Sequence, residues 1–108
     1  MRFCEKLKNL RKFSGYGFNE FWKTAKISNV YLSGLENGTK LPPPPERQQE
    51  FIMIFNKRKT LDLADINEFY DLAALERNEV PADILMFCKK TDSLKKIREF
   101  IKENRDEK

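Results

Sequence analysis

Histidine is absent from the 108 residues, and the chain has only two cysteines, four glycines and one tryptophan. Without an imidazole, no Ser-His-Asp or Cys-His nucleophile can be assembled from this chain alone. Cys4 and Cys88 lie far apart with no histidine to join them, which leaves a protein-only zinc site short of ligands. Neither a metal nor a cofactor is therefore expected. No apolar run approaches the roughly 18 residues needed to span a bilayer. The start, Met1-Arg2-Phe3-Cys4-Glu5-Lys6, passes directly into an amphipathic pattern and lacks the apolar core of a secretory signal. The two cysteines read as reduced thiols rather than as a disulfide. Carboxylate pairs such as Asp62/Asp65 and Glu76/Glu79 have no glycine-rich phosphate loop or metal pattern beside them and read as solvated helix faces. The expectation is a soluble cytoplasmic protein that is not an enzyme and has no membrane partner.

What is present suits a single folded unit with one modest core. Apolar residues supply 40% of the chain and aromatics 12%, against 35% charged residues. The net charge of +4 is unevenly placed: residues 1–41 hold eight Lys or Arg against three acids, so the whole basic excess lies there. A local positive field of this kind suits a polyanion such as nucleic acid, or an acidic protein face, and is equally compatible with an ordinary solvated surface.

Helical periodicity runs through almost the whole chain, and sustained strand alternation is missing. Phe3, Leu7 and Leu10 predict a first helix over about 3–13, ended by Ser14-Gly15-Tyr16-Gly17. A second covers about 18–25, with Phe18, Phe21, Trp22 and Ala25 apolar. Ser28 is a good N-cap for a third that stops at Gly38. Pro42 to Pro45 are expected to be non-helical polyproline, a stiff spacer before the later helices. Those helices are predicted over about 46–57, from a cap at Asp65, from Pro81 as a first helical residue, and from Asp92-Ser93, where Leu94, Ile97, Phe100 and Ile101 share a face. The fold class is all-α.

Two short helices joined through Lys26-Ile27-Ser28 and preceded by a basic helix form a helix-turn-helix arrangement. Residues 3–45 resemble the lambda-repressor/Cro-type helix-turn-helix proteins, or XRE-family regulators. The match lies in Leu7 and Leu10-Arg11, then Ile27-Ser28, Tyr31-Leu32-Ser33 and Leu35-Glu36-Asn37-Gly38, with Pro42 soon after. Leu72-Ala73 and Val80-Pro81-Ala82-Asp83-Ile84 look like the helical extension that some members carry. The resemblance implies a five-helix lambda-repressor-like domain over 1–76, extended by about two C-terminal helices over 77–108 that serve as a dimerisation element.

The chain also departs from the family pattern. Gly17 stands where a capping Ser or Thr is usual, Phe18 where Gln is common, Trp22 where Ala is normal, and Lys26 where Gly makes the turn. The indole must therefore push helices two and three apart or turn outward. Lys26 must adopt a turn geometry that Gly takes freely, at a cost of about 1 kcal/mol.

The implied function is sequence-specific binding of double-stranded DNA by a bacterial or phage transcriptional repressor, with helix three in the major groove. Carried over residue by residue, Ser28, Asn29, Val30, Ser33 and Gly34 face bases. Asn29 is best suited to an adenine edge, and Val30 to a thymine methyl. Lys23, Lys26, Asn37, Thr39 and Lys40 face phosphate. Tyr31, Leu32 and Leu35 read as core, and Glu36 as a partner for Arg11 that braces helix one against helix three. One recognition helix reads too few base pairs alone, so a homodimer on a palindromic operator is implied. The alternative is a protein-binding module on the same fold (antitoxin, inhibitor or adaptor), with Phe18 and Trp22 as the contact for its partner.

Overall fold

A computed structural model describes residues 1–88 of the chain. Its elements, in order, are α1 (Phe3–Phe13), α2 (Phe18–Thr24), α3 (Asn29–Asn37), α4 (Pro45–Arg58), α5 (Leu63–Arg77) and α6 (Ala82–Cys88), with no strand among the described residues. None of these helices is long and apolar enough to cross a membrane. The expected helix at Asp92-Ser93 lies outside the described residues, as does most of the extension assigned to dimerisation.

Helix α1 forms on the expected stripe: Phe3, Leu7 and Leu10 are buried. Its first turn has no cap of its own, because Arg2 makes no side-chain capping bond. A distant residue supplies one. The Glu76 carboxylate, from the end of α5, accepts the Phe3 N–H at 2.7 Å and an Arg2 N–H at 3.3 Å. A carboxylate there satisfies a free donor and complements the positive end of the helix dipole. At the other end Ser14 donates back to the Leu10 and Arg11 carbonyls.

The link between α2 and α3 is a tight turn over residues 25–28. Lys26 takes φ 57°, the left-handed conformation expected there. Ser28 caps α3 by accepting the Tyr31 N–H at 3.0 Å, and Gly38, at φ 83°, ends it. The carbonyl of Ala25, just past the end of α2, accepts from Arg47 at 3.2 Å.

Three expectations need correction. Pro45 is helical, as the first residue of α4, since a missing N–H costs nothing at that position. Pro42 and Pro43 are non-helical, as expected of the stiff spacer, but they are fully buried. Their carbonyls accept from Arg77 Nη1 (2.8 Å) and Gln48 Nε2 (2.7 Å), so the run is bonded to both α5 and α4. Asp65 is not the N-cap of α5. That position is Asp62, while Asp65 lies in the first turn and accepts the Lys6 ammonium at 2.8 Å. Pro81 stands just ahead of α6 rather than inside it, and its carbonyl takes the Leu85 N–H.

Aromatic rings dominate the core. Phe21 stacks on Phe55 (5.0 Å between centroids) and meets Phe51 edge-on (5.1 Å), while Phe3 packs on Phe69 (4.9 Å). Tyr16 joins them and donates its hydroxyl to the Ile54 carbonyl. These rings, with Leu32 and Leu35 of α3 and Ala82 of α6, belong to one continuous buried cluster. The core therefore fastens α2 and α3 to α4, fixing how α3 sits on the surface.

Candidate nucleic-acid interface

The outer face of α3 is set by its inner one. Leu32 and Leu35 are fully buried and Tyr31 is half-buried, which rotates Asn29, Val30, Ser33 and Asn37 to solvent. A charged clamp holds the helix in that rotation. Arg11 of α1 grips Glu36 of α3 through two bonds (Nε–Oε2 2.7 Å, Nη2–Oε1 3.0 Å), with both side chains about 8% exposed. The remaining Arg11 nitrogen donates to the Tyr16 carbonyl at 3.0 Å. This is the brace expected from the sequence.

Beside α3 lies an open groove of about 460 Å³. Asn29, Val30, Ser33 and Gly34 line it from the helix, Asn37, Thr39 and Lys40 from its C-terminal end, and Phe18 from the start of α2. Seven of the ten residues assigned to DNA thus share one surface feature. Ser28, Lys23 and Lys26 lie outside it. Ser28 is engaged as the cap of α3. Lys23 sits over the Trp22 ring at 5.5 Å. Lys26 lines a second depression of about 520 Å³ with Thr24, Arg47, Met53 and Lys57, between the end of α2 and α4.

Gly34 is not an open backbone surface, because it is buried. The methylenes of Lys40 lie across it, so closely that a Cβ at position 34 would stand 2.7 Å from Lys40 Cγ and Cδ. Lys40 thus forms a flexible cover over part of α3. Asn37 is partly engaged as well, its Oδ1 accepting the Thr39 N–H at 2.9 Å, which orders the segment leading to Lys40. Its amide N–H₂ remains a donor.

Among the described residues, Lys23, Lys26 and Lys40 form no ion pair, whereas Lys6 is tied to Asp65 and Glu68 and Arg11 to Glu36. Two of the three acids in residues 1–41 are neutralised, Glu36 by Arg11 and Glu20 by Arg58. The Arg58 hydrogen bond holds the Glu20 carboxyl below its ordinary pKa, and Arg58 also lies 3.9 Å from the Tyr16 ring. Burial pushes the Tyr31 hydroxyl up, opposed in part by Arg47 and Arg77. Among the described residues no cluster of three or more Cys, Asp or Glu side chains could hold a metal.

The Trp22 indole packs against the rim of the core cluster. It is half-buried, with its N–H donating to Asn19 Oδ1 at 3.1 Å. Beneath it Phe21, Ala25, Leu32 and Leu35 are all buried, so the α2–α3 contact stays closed. Phe18 packs on the core cluster and also lines the groove. Its position one residue after the Gly17 cap, four before Trp22, gave a helical face but not which neighbour that face meets.

No family model matches the chain, and no curated protein and no solved structure matches it either.

Proposed function

We propose that this protein binds double-stranded DNA sequence-specifically, laying α3 in the major groove as a transcriptional repressor of bacterial or phage type. One observation carries the reading: a single groove gathers Asn29, Val30, Ser33 and Asn37 of α3 with Thr39 and Lys40 just after it, and the buried Arg11–Glu36 pair holds that helix in place. In this reading Asn29 makes paired hydrogen bonds to an adenine edge, for about 1–3 kcal/mol of discrimination. Ser33 reaches a base or a phosphate. Lys40 leaves Gly34 to pair with phosphate, and Thr39, the Asn37 amide, Lys23 and Lys26 extend that contact along the backbone. A homodimer places two such helices on a palindromic site, half-sites about one helical turn apart.

The test is binding to a duplex enriched by the full chain from a random pool, compared with a scrambled duplex at two salt concentrations. The reading expects preference for the enriched duplex, affinity that falls with salt, and a salt slope reduced by about one in Lys40→Ala. No enrichment, or equal binding to both duplexes, refutes it. Capture of a protein in place of DNA would favour the antitoxin, inhibitor or adaptor alternative.

A further inference from the structure

The groove beside α3 contains two side chains that offer only carbon. Val30 is 69% exposed and does not belong to the core cluster. Phe18 is half-buried and fixed from behind. It packs against the core cluster, and the Arg11 guanidinium lies 5.8 Å from its ring centroid. Arg11 in turn is held by Glu36 and by the Tyr16 carbonyl, so the ring rests on a bonded support. Phe18 and Val30 line the same groove as Asn29, which Val30 follows directly in sequence, and give that groove its two purely hydrocarbon side chains.

A phenyl ring has no donor for a phosphate. Against carbon, the amino group of cytosine or adenine would lose its hydrogen bond to water without replacement. In the major groove of DNA, one base carries an apolar group on its edge: thymine, through its 5-methyl. We infer that Phe18, together with Val30, is a specificity-determining residue that receives the 5-methyl group of a thymine neighbouring the adenine read by Asn29. This inference rests on the DNA-binding reading above, in which Val30 already suits a thymine methyl, and adds Phe18 as the second side chain that receives it.

The full chain is used to enrich duplexes from a random pool, and the best duplex is resynthesised with each thymine replaced singly by deoxyuridine, which removes only the methyl. One thymine per half-site should be sensitive, its replacement weakening binding about fourfold, the ratio set by burying one methyl-sized group. In Phe18→Ala, and independently in Val30→Ala, that thymine-to-uracil ratio should fall towards one while preferences at other positions persist. Should Phe18→Ala fail to fold by circular dichroism, Phe18→Leu and Val30→Ala carry the comparison. An enriched site with no methyl-sensitive thymine overturns the inference while leaving DNA binding intact, as does an unchanged ratio in the folded variants. Failure to enrich any duplex overturns the inference together with the DNA-binding reading.

Discussion

Arg11 and Glu36 form a two-bond ion pair between α1 and α3, buried to about 8% exposure on both sides. Removing one partner leaves the other as an uncompensated buried charge, which costs about 3–5 kcal/mol. Glu36→Ala and Arg11→Ala should each destabilise by that order, and the double variant by clearly less than the sum of the two. Urea unfolding of the four proteins measures this. Additive losses would mean that the two side chains act independently and that α3 takes its rotation from apolar packing alone.

Glu76 caps a helix 73 residues away in sequence, accepting the Phe3 N–H at 2.7 Å with its side chain 23% exposed. Loss of a cap costs about 0.5–2 kcal/mol. Glu76→Ala should fall in that range, and Glu76→Gln, which keeps an acceptor oxygen but no charge, should lose less. Thermal unfolding compares them, and amide exchange at the first turn of α1 should rise in both.

Gly34→Ala brings a methyl group within 2.7 Å of the Lys40 methylenes. The far part of a lysine moves cheaply, and alanine is the better helix former by about 1 kcal/mol. Folding stability should therefore change by no more than about 1 kcal/mol in either direction, while Lys40 is displaced from the groove. A backbone rearrangement of α3 in the variant's structure would show that the cover is rigid.

Stability should fall at both ends of the pH scale. Arg58 holds the Glu20 carboxyl below the ordinary value of about 4.3. Its contribution is thus present above that value and lost as pH falls through the lower, folded-state value. Burial raises the Tyr70 and Tyr31 hydroxyls above the ordinary value of about 10. Their contribution is complete below pH 10 and lost as pH rises through the raised values. Melting temperature followed against pH should show both limbs, the acid one flattened in Glu20→Gln and the alkaline one in Tyr70→Phe.

Local chemistry was readable in the sequence, and distant pairing much less so. The bounds of α1 follow from the Phe3, Leu7 and Leu10 spacing, and those of α3 from Ser28 and Gly38, because caps and stripes act within a few residues. Glu36, an acid on a short helix opposite the basic first helix, made Arg11 a candidate partner, and the two side chains do pair. Proline chemistry gives the non-helical backbone of Pro42 and Pro43, but not their burial or the bonds of their carbonyls to Arg77 and Gln48. Asp65 has the chemistry of a cap, but α5 begins two residues before it and its carboxylate pairs with Lys6, 59 residues earlier. Seven assigned contact residues share the groove, but no periodicity could add Phe18 to it, since that required knowing how α2 lies beside α3.

The most direct measurement is amide chemical-shift mapping of the isotopically labelled full chain, titrated with the duplex it enriches. The account predicts that the largest shifts fall on Asn29, Val30, Ser33, Thr39 and Lys40, with smaller ones at the start of α2. Shifts centred instead on α5 and α6, with the α3 groove unaffected, would contradict it.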